Sequence, residues 1–206
     1  MPTVDSSFVS AADVKTVGWS FWAETYHSIA QTPQRYHCLH RLEDVLAFGI
    51  PHQIMEGFKD KLIGWYQELQ KRGVRGGKDL YLFGPHNSGK TSLSILAMLA
   101  VVDLLEDLPD PFYLHVGAAL TAIRQHDFSL VQRAVKASVL VLDDIGVESG
   151  SDFIREQLSS LLDSRFGSGY PNIVTGNSTP EDLSKVLGQR AASRILRTCL
   201  TFEIAK

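Results

Sequence analysis

The 206-residue sequence has little cysteine, no long apolar run and no excess of positive charge, and each absence excludes a class of protein. Cys38 and Cys199 are the only cysteines, which are too few for a disulfide scaffold and are typical of a reducing compartment. No apolar run reaches the roughly 18 residues that cross a bilayer. The first residues include acidic side chains in place of the apolar core of a secretory signal. The sequence therefore predicts a cytoplasmic protein with no membrane contact.

The charge balance limits how this protein could contact nucleic acid. Lys and Arg together number 20 against 23 Asp and Glu, which gives a net charge of −3. A single copy with this charge is not expected to coat DNA by bulk electrostatic attraction. Hydrophobic residues at 44% and charged residues at 21% are instead typical of a globular chain that buries a substantial core.

Apolar runs and helical patterns alternate along most of the chain. A helix is predicted over 53–72, where apolar residues recur at every third or fourth position. Segments long enough for one or two helices separate five short apolar runs, which lie at 79–83, 112–116, 138–142, 172–175 and 199–204. This alternation predicts an α/β fold with a mostly parallel sheet. We expect one domain over 35–206 and an N-terminal appendage over 1–34.

A glycine-rich segment after the first apolar run carries the clearest chemical signal. It fits the pattern G-x-x-x-x-G-K-[ST], and the predicted nucleotide-binding residues are Gly84, Pro85, His86, Asn87, Ser88, Gly89, Lys90, Thr91 and Ser92. In this motif, backbone N–H groups face phosphate oxygens, the lysine reaches the β- and γ-phosphates, and the Thr91 hydroxyl ligates Mg²⁺. The segment therefore predicts a site for ATP and Mg²⁺. Asn87 departs from the many loops of this type that have a further glycine at its position.

Two acidic residues, Asp143 and Asp144, directly follow the most apolar of the predicted strands. Carboxylates at the carboxyl end of a central strand lie where open α/β sheets bind ligands. Asp143 is predicted to hold Mg²⁺, and Asp144 to orient or deprotonate the water that attacks the γ-phosphate. A simple turn containing two aspartates is the alternative. The segment between the glycine-rich loop and these residues has room for a further strand, which is typical of the ASCE class of P-loop ATPases.

Several segments, taken together, resemble one known family. The glycine-rich loop is followed by VLVLDDIGVE at 139–148, PNIVTGNSTPEDL at 171–183 and QRAASRI at 189–195. Their order and spacing resemble the AAA+ helicase loaders of the DnaC type and the related IstB transposition ATPases, from about residue 35 to residue 198. The resemblance implies an AAA+ core with ATPase activity and a five-stranded parallel sheet of order 5-1-4-3-2. Because the sequence ends soon after the last predicted strand, we expect no C-terminal lid domain, which departs from the family.

The resemblance also implies roles for individual residues. Asn177 matches the sensor I residue that positions the attacking water, although its neighbours also suit a simple turn. Arg194 matches the arginine finger that completes a neighbouring subunit's site, with Arg190 as the competitor and a helix-surface arginine as the alternative. The residues expected to act in catalysis are therefore Lys90, Asp144, Asn177 and Arg194. Arg165 also matches a position where the family carries arginine, and the sequence indicates no chemical role for it.

By the same resemblance, the expected partners are a replicative helicase of the DnaB type, single-stranded DNA and further copies of this chain. The appendage is a candidate docking segment for the helicase. Arg124, Arg133 and Lys136 are the candidate DNA contacts, with solvated charges on a helix as the alternative. Assembly is expected to depend on ATP, and the number of subunits, six or another, stays open. A transposition helper ATPase and a nucleotide-gated binding module with negligible turnover are the alternative functions.

Overall fold

The computed structural model of the protein describes residues 52–102, 104–105, 110–146 and 152–204. The predicted appendage at 1–34 and the first part of the predicted domain, up to residue 51, lie outside these ranges. The domain boundary and the docking role of the appendage therefore stay predictions.

The described strands form one parallel sheet, as the sequence predicts. They are β1 (Asp79–Phe83), β2 (Pro111–His115), β3 (Val139–Ile145), β4 (Asn172–Gly176) and β5 (Cys199–Glu203). Their order in the sheet is β2-β3-β4-β1-β5, and every neighbouring pair is parallel. This is the expected order 5-1-4-3-2 read from the opposite edge, so the predicted fold class is confirmed.

The helices among the described residues connect these strands. They are α1 (His52–Arg72), α2 (Lys90–Val102), α3 (Val116–Arg124), α4 (Ser129–Lys136), α5 (Asp152–Ser168), α6 (Leu183–Leu187) and α7 (Gln189–Thr198). Two helices, α3 and α4, lie between β2 and β3, and two more, α6 and α7, lie between β4 and β5, as the predicted one or two helices per connection allow. Gly188 separates α6 from α7 with a φ of 80°, a conformation that glycine adopts without steric cost. In the part of the chain that the structure describes, no helix has both the length and the apolar character to cross a membrane.

Helices cover both faces of the sheet, and successive side chains of each strand point to opposite faces. Leu80 and Leu82 of β1 pack with α1 and α2 on one face, where Phe58 and Trp65 of α1 are buried. Tyr81 points to the other face and packs with α3 to α7. Burial on both faces explains why the central strands are nearly continuous apolar runs in the sequence.

One strand differs from its prediction in a way that matters for the site. The apolar run at 138–142 predicts that β3 ends before Asp143, whereas β3 extends to Ile145. Its pairing with β4 is regular up to Leu142, is interrupted, and resumes at Ile145 beside Gly176. Asp144 lies in this irregularity with a φ of 65°. The irregularity redirects the two carboxylates at the carboxyl edge of the sheet, as a β-bulge does.

A buried polar network lies at the amino ends of the strands, opposite the two carboxylates, and explains why the sequence has an arginine at position 165. This arginine of α5 is completely buried, and its Nε donates to Asn172 Oδ1 over 2.8 Å. Its remaining hydrogen bonds go to the backbone carbonyls of Val135, Ala137 and Pro171. Asn172 in turn donates its backbone N–H (2.6 Å) and its Nδ2 (3.1 Å) to Asp79 Oδ1. Arg165 is therefore a structural residue that joins α5 to the end of α4 and the start of β4.

Candidate active site

The glycine-rich loop joins the end of β1 to the start of α2 and has three residues in the left-handed region. Gly84 has a φ of 151°, and a Cβ on it would lie 2.3 Å from the carbonyl oxygen of Ile204. Gly89 has a φ of 88°. Asn87, with a φ of 58°, is a non-glycine residue in a conformation that asparagine tolerates better than most side chains. The loop therefore keeps its shape although it lacks the additional glycine.

Lys90, at the start of α2, lies inside the loop. Its Nζ donates to the carbonyls of Gly84 (3.0 Å) and Pro85 (2.6 Å) and lies 3.4 Å from Ser88 Oγ. Burial lowers the pKa of Lys90, and the charges of Asp144 and Asp143 oppose that shift. The ammonium group is thus held inside the loop by neutral acceptors, which an anionic phosphate can replace because it accepts stronger hydrogen bonds.

Asp143 and Thr91 form the central pair of the site. The Thr91 hydroxyl lies 3.1 Å from both carboxylate oxygens of Asp143, which is 3% exposed. Two further hydroxyls donate to the same carboxylate, Thr175 to Oδ1 over 2.7 Å and Tyr113 to Oδ2 over 2.5 Å. The sequence therefore identified Thr91 and Asp143 as candidates, and the fold brings them into contact from α2 and β3.

Asp144 lies among polar side chains from three other segments. Its backbone N–H donates to Thr175 Oγ1 over 2.9 Å, and Asn177 Nδ2 donates to its Oδ1 over 3.4 Å. His115 Nε2 lies 3.9 Å from Asp144 Oδ2, and His86 Nε2 lies 3.5 Å from Asn177 Nδ2. Asn177 Oδ1 is buried and has no hydrogen-bond partner among the described residues. Because an unpaired buried acceptor is costly, a donor from a ligand or water is expected at this oxygen.

The two candidate finger arginines, Arg190 and Arg194, lie on α7. Both pair with Asp163 of α5: Arg190 through Nη2 at 2.5 Å, and Arg194 through Nε. The side chain of Arg190 is 73% exposed, whereas that of Arg194 is 33% exposed. Within the chain, both arginines are therefore paired with Asp163, and the finger role of either stays a prediction.

The candidate DNA contacts are spread over two helices. Arg124 is exposed at the end of α3, and Lys136 is exposed in the last turn of α4. Arg133 is already engaged: its guanidinium lies 3.3 Å from Asp110 and over the ring of Phe112. Those partners precede and begin β2, so Arg133 lies near the amino edge of the sheet, away from Asp143. The DNA role of all three residues stays a prediction.

Three residues of the site were missed in the sequence, namely Tyr113, His115 and Thr175. Each lies in or at the end of a short strand whose apolar neighbours dominate the pattern. The signal present in the sequence is polar side chains at the middle and the end of the strands that flank β3. It becomes informative only with the sheet order, because β2 and β4 are the neighbours of β3.

The site has the donor set that a magnesium–nucleotide complex needs. Mg²⁺ prefers oxygen ligands and uses one or two carboxylates together with phosphate oxygens. The Thr91 hydroxyl and the Asp143 carboxylate are adjacent, and Thr91 lies in the first turn of α2. The amino end of that helix and the loop before it form an anion-binding geometry. The residues present therefore fit ATP with Mg²⁺.

Solved structures share this fold at low sequence identity, while no family model and no curated protein matches the sequence. The DnaC helicase loader is 20% identical, with a TM-score of 0.63 over 78% of this chain and 95% of that one. A primosome component from Streptococcus pyogenes serotype M3 is 21% identical, with a TM-score of 0.64 over 86% and 93%. The replication initiator DnaA, bound to AMPPCP and single-stranded DNA, is 16% identical, with a TM-score of 0.55 over 69% and 44%. The chain therefore has the AAA+ fold of the DnaC-type proteins, which confirms the predicted resemblance at the level of the fold.

Proposed function

We propose that this protein is an ATP-hydrolysing helicase loader that acts in DNA replication in the bacterial, or phage-infected bacterial, cytoplasm. The observation that carries the ATPase part is the contact between Thr91 and Asp143 at the end of the glycine-rich loop. A hydroxyl and a carboxylate so placed form a magnesium site beside a phosphate site. The AAA+ fold shared with the DnaC helicase loader supports the loader part.

Each residue of the site has a chemical task in this proposal. Lys90 exchanges the carbonyls of Gly84 and Pro85 for the β- and γ-phosphates, which stabilises charge on them. Mg²⁺, when bound, supplies positive charge to the phosphate oxygens. Asp144 orients or deprotonates the attacking water, and Asn177, which contacts Asp144, helps to position it.

The site is completed by a second subunit in this proposal. Arg194 or Arg190 is presented to the ATP of a neighbouring copy, where it neutralises charge in the transition state. Either arginine must first leave Asp163. ATP therefore favours assembly, and the assembled copies contact a DnaB-type helicase and single-stranded DNA. Because one copy has a net charge of −3, DNA affinity is expected to rise with assembly.

The ATPase part is tested by titrating a fluorescent ATP analogue against the protein and by measuring phosphate release. Lys90→Ala removes a charged partner of the phosphates, so the affinity is expected to fall about tenfold or more. Lys71→Ala, at the exposed end of α1, is the matched control and should bind like the wild type. Asp144→Asn should bind ATP and lose turnover. Equal affinity of Lys90→Ala and wild type would refute the nucleotide site.

The loader part is tested by retention of a purified partner on the immobilised protein with ATP. Retention of a hexameric replicative helicase, lost in Lys90→Ala, is the expected result. Retention of a transposase in its place would favour the transposition helper. Retention of the helicase without measurable ATP turnover, even with DNA present, would favour a nucleotide-gated binding module.

A further inference from the structure

The Asp143 carboxylate accepts hydrogen bonds from hydroxyls on three different elements. Thr175 of β4 donates to Oδ1 over 2.7 Å, and Tyr113 of β2 donates to Oδ2 over 2.5 Å. Thr91 of α2 lies 3.1 Å from both oxygens. Since β2 and β4 flank β3, the two strand hydroxyls hold the carboxylate from opposite sides. Thr91 approaches from the glycine-rich loop.

Tyr113 differs from the other members of this set, because packing of the core does not by itself require its hydroxyl. Its ring is completely buried in the core beneath α1 and α2, where a phenylalanine would fill nearly the same space. A buried hydroxyl destabilises a core unless it is hydrogen-bonded, and here it donates to a charged acceptor. The hydroxyl thus couples the core directly to the orientation of Asp143.

A carboxylate that serves a metal is oriented by its outer partners, which fix its oxygens before the metal arrives. Asp143 is almost fully buried, so solvent contributes little to holding it. We propose that Tyr113 is a positioning residue that holds the Asp143 carboxylate for the metal of the nucleotide complex, with Thr175 as its counterpart on β4. The inference rests on the proposed ATPase function and extends it to a residue outside the motifs.

The test measures binding of a fluorescent non-hydrolysable ATP analogue at increasing Mg²⁺ concentration, and in EDTA. In Tyr113→Phe we expect the half-saturating Mg²⁺ concentration to rise about tenfold or more, the usual effect of losing an outer partner of a metal ligand. Binding in EDTA should stay within about twofold of the wild type, because Lys90 and the loop are unchanged. Tyr81→Phe is the matched control, since Tyr81 is equally buried and donates to Ser178 O over 2.7 Å. Its half-saturating Mg²⁺ concentration should equal that of the wild type.

A second pair of variants guards against a general loss of folding. Thr175→Ser keeps a hydroxyl and should retain the wild-type response to Mg²⁺, whereas Thr175→Val should resemble Tyr113→Phe. An unchanged response in Tyr113→Phe, or equal weakening with Mg²⁺ and in EDTA, would overturn the positioning role while leaving the ATPase proposal intact. A wild-type protein that binds the analogue under neither condition would overturn the ATPase proposal and this inference with it.

Discussion

The buried carboxyl group of Asp79 makes folding stability depend on pH in a direction that can be calculated. Burial raises the pKa of Asp79 from 3.8 to about 7, although Asn172 donates to it and the Arg165 charge opposes the shift. An acid with a raised pKa in the folded state contributes stability that is complete below its unfolded pKa. That contribution is lost as the pH rises through the folded pKa. The window is therefore about pH 4 to 7.

The perturbation is Asp79→Asn, which keeps an oxygen to accept from Asn172 and removes the ionisation. With pKa values of 3.8 and about 7, linkage predicts that wild-type stability falls relative to the variant by about 2.5 kcal/mol between pH 5 and pH 8. Two neighbours do not mimic this change. Burial raises the pKa of the Cys199 thiol, so it stays neutral there, and Arg165, with a pKa of about 10, stays charged.

Urea denaturation of both proteins at several pH values measures the difference directly. Asp60→Asn, in an exposed part of α1, is the control, and its difference from the wild type should be flat. A flat difference for Asp79→Asn would mean that Asp79 is already ionised at pH 5 in the folded protein. The same flat difference would follow if the Arg165 charge outweighed burial, and it would refute the reasoning.

Two further predictions concern arginines. Arg165→Met removes the guanidinium donors to Asn172 Oδ1 and to the carbonyls of Val135 and Ala137, while the Pro171 carbonyl still accepts from the Leu140 N–H. We therefore expect a loss of about 3–5 kcal/mol in the free energy of unfolding by urea, against no change in the exposed Arg197→Met. Arg194→Ala should lower the steady-state ATP turnover of the assembled protein by about 10³-fold, whereas Arg190→Ala and Arg197→Ala should not. A large loss only in Arg190→Ala would exchange the two roles.

The parts of the fold that could be predicted are those specified by local pattern. Burial of β3 on both faces gives a continuous apolar run. Gly89 followed by Lys90 marks the turn into α2. The end of β3 could not be read in this way, because Asp143 and Asp144 are polar residues that the strand nevertheless includes. Asp143 is held in the strand by its pairing with His115 of β2, and the pairing with β4 resumes only at Ile145.

The parts of the site that could not be predicted depend on contacts between distant segments. Asp163 gives no local signal that it accepts both Arg190 and Arg194, which lie on a different helix. Arg165 looks like a surface residue in the sequence, because a lone arginine is almost never fully buried without partners. Its partners are mostly backbone carbonyls, which every residue has, so no pattern of side chains announces them.

The amino ends and the carboxyl ends of the strands are linked by the register between β1 and β4. Leu80 pairs with Ile173 and Phe83 with Gly176, so Gly84 and Asn177 leave neighbouring strands at the same level. At the amino ends of the strands, Asn172 donates hydrogen bonds to Asp79 in the same register.

A slip of one residue between β1 and β4 would turn Thr175 to the other face and remove its hydroxyl from Asp143, because successive side chains alternate. The buried amino-edge network therefore supports the candidate site at a distance. For this reason Arg165→Met should disturb Mg²⁺-dependent binding as well as folding, whereas Asp79→Asn should leave that binding unchanged.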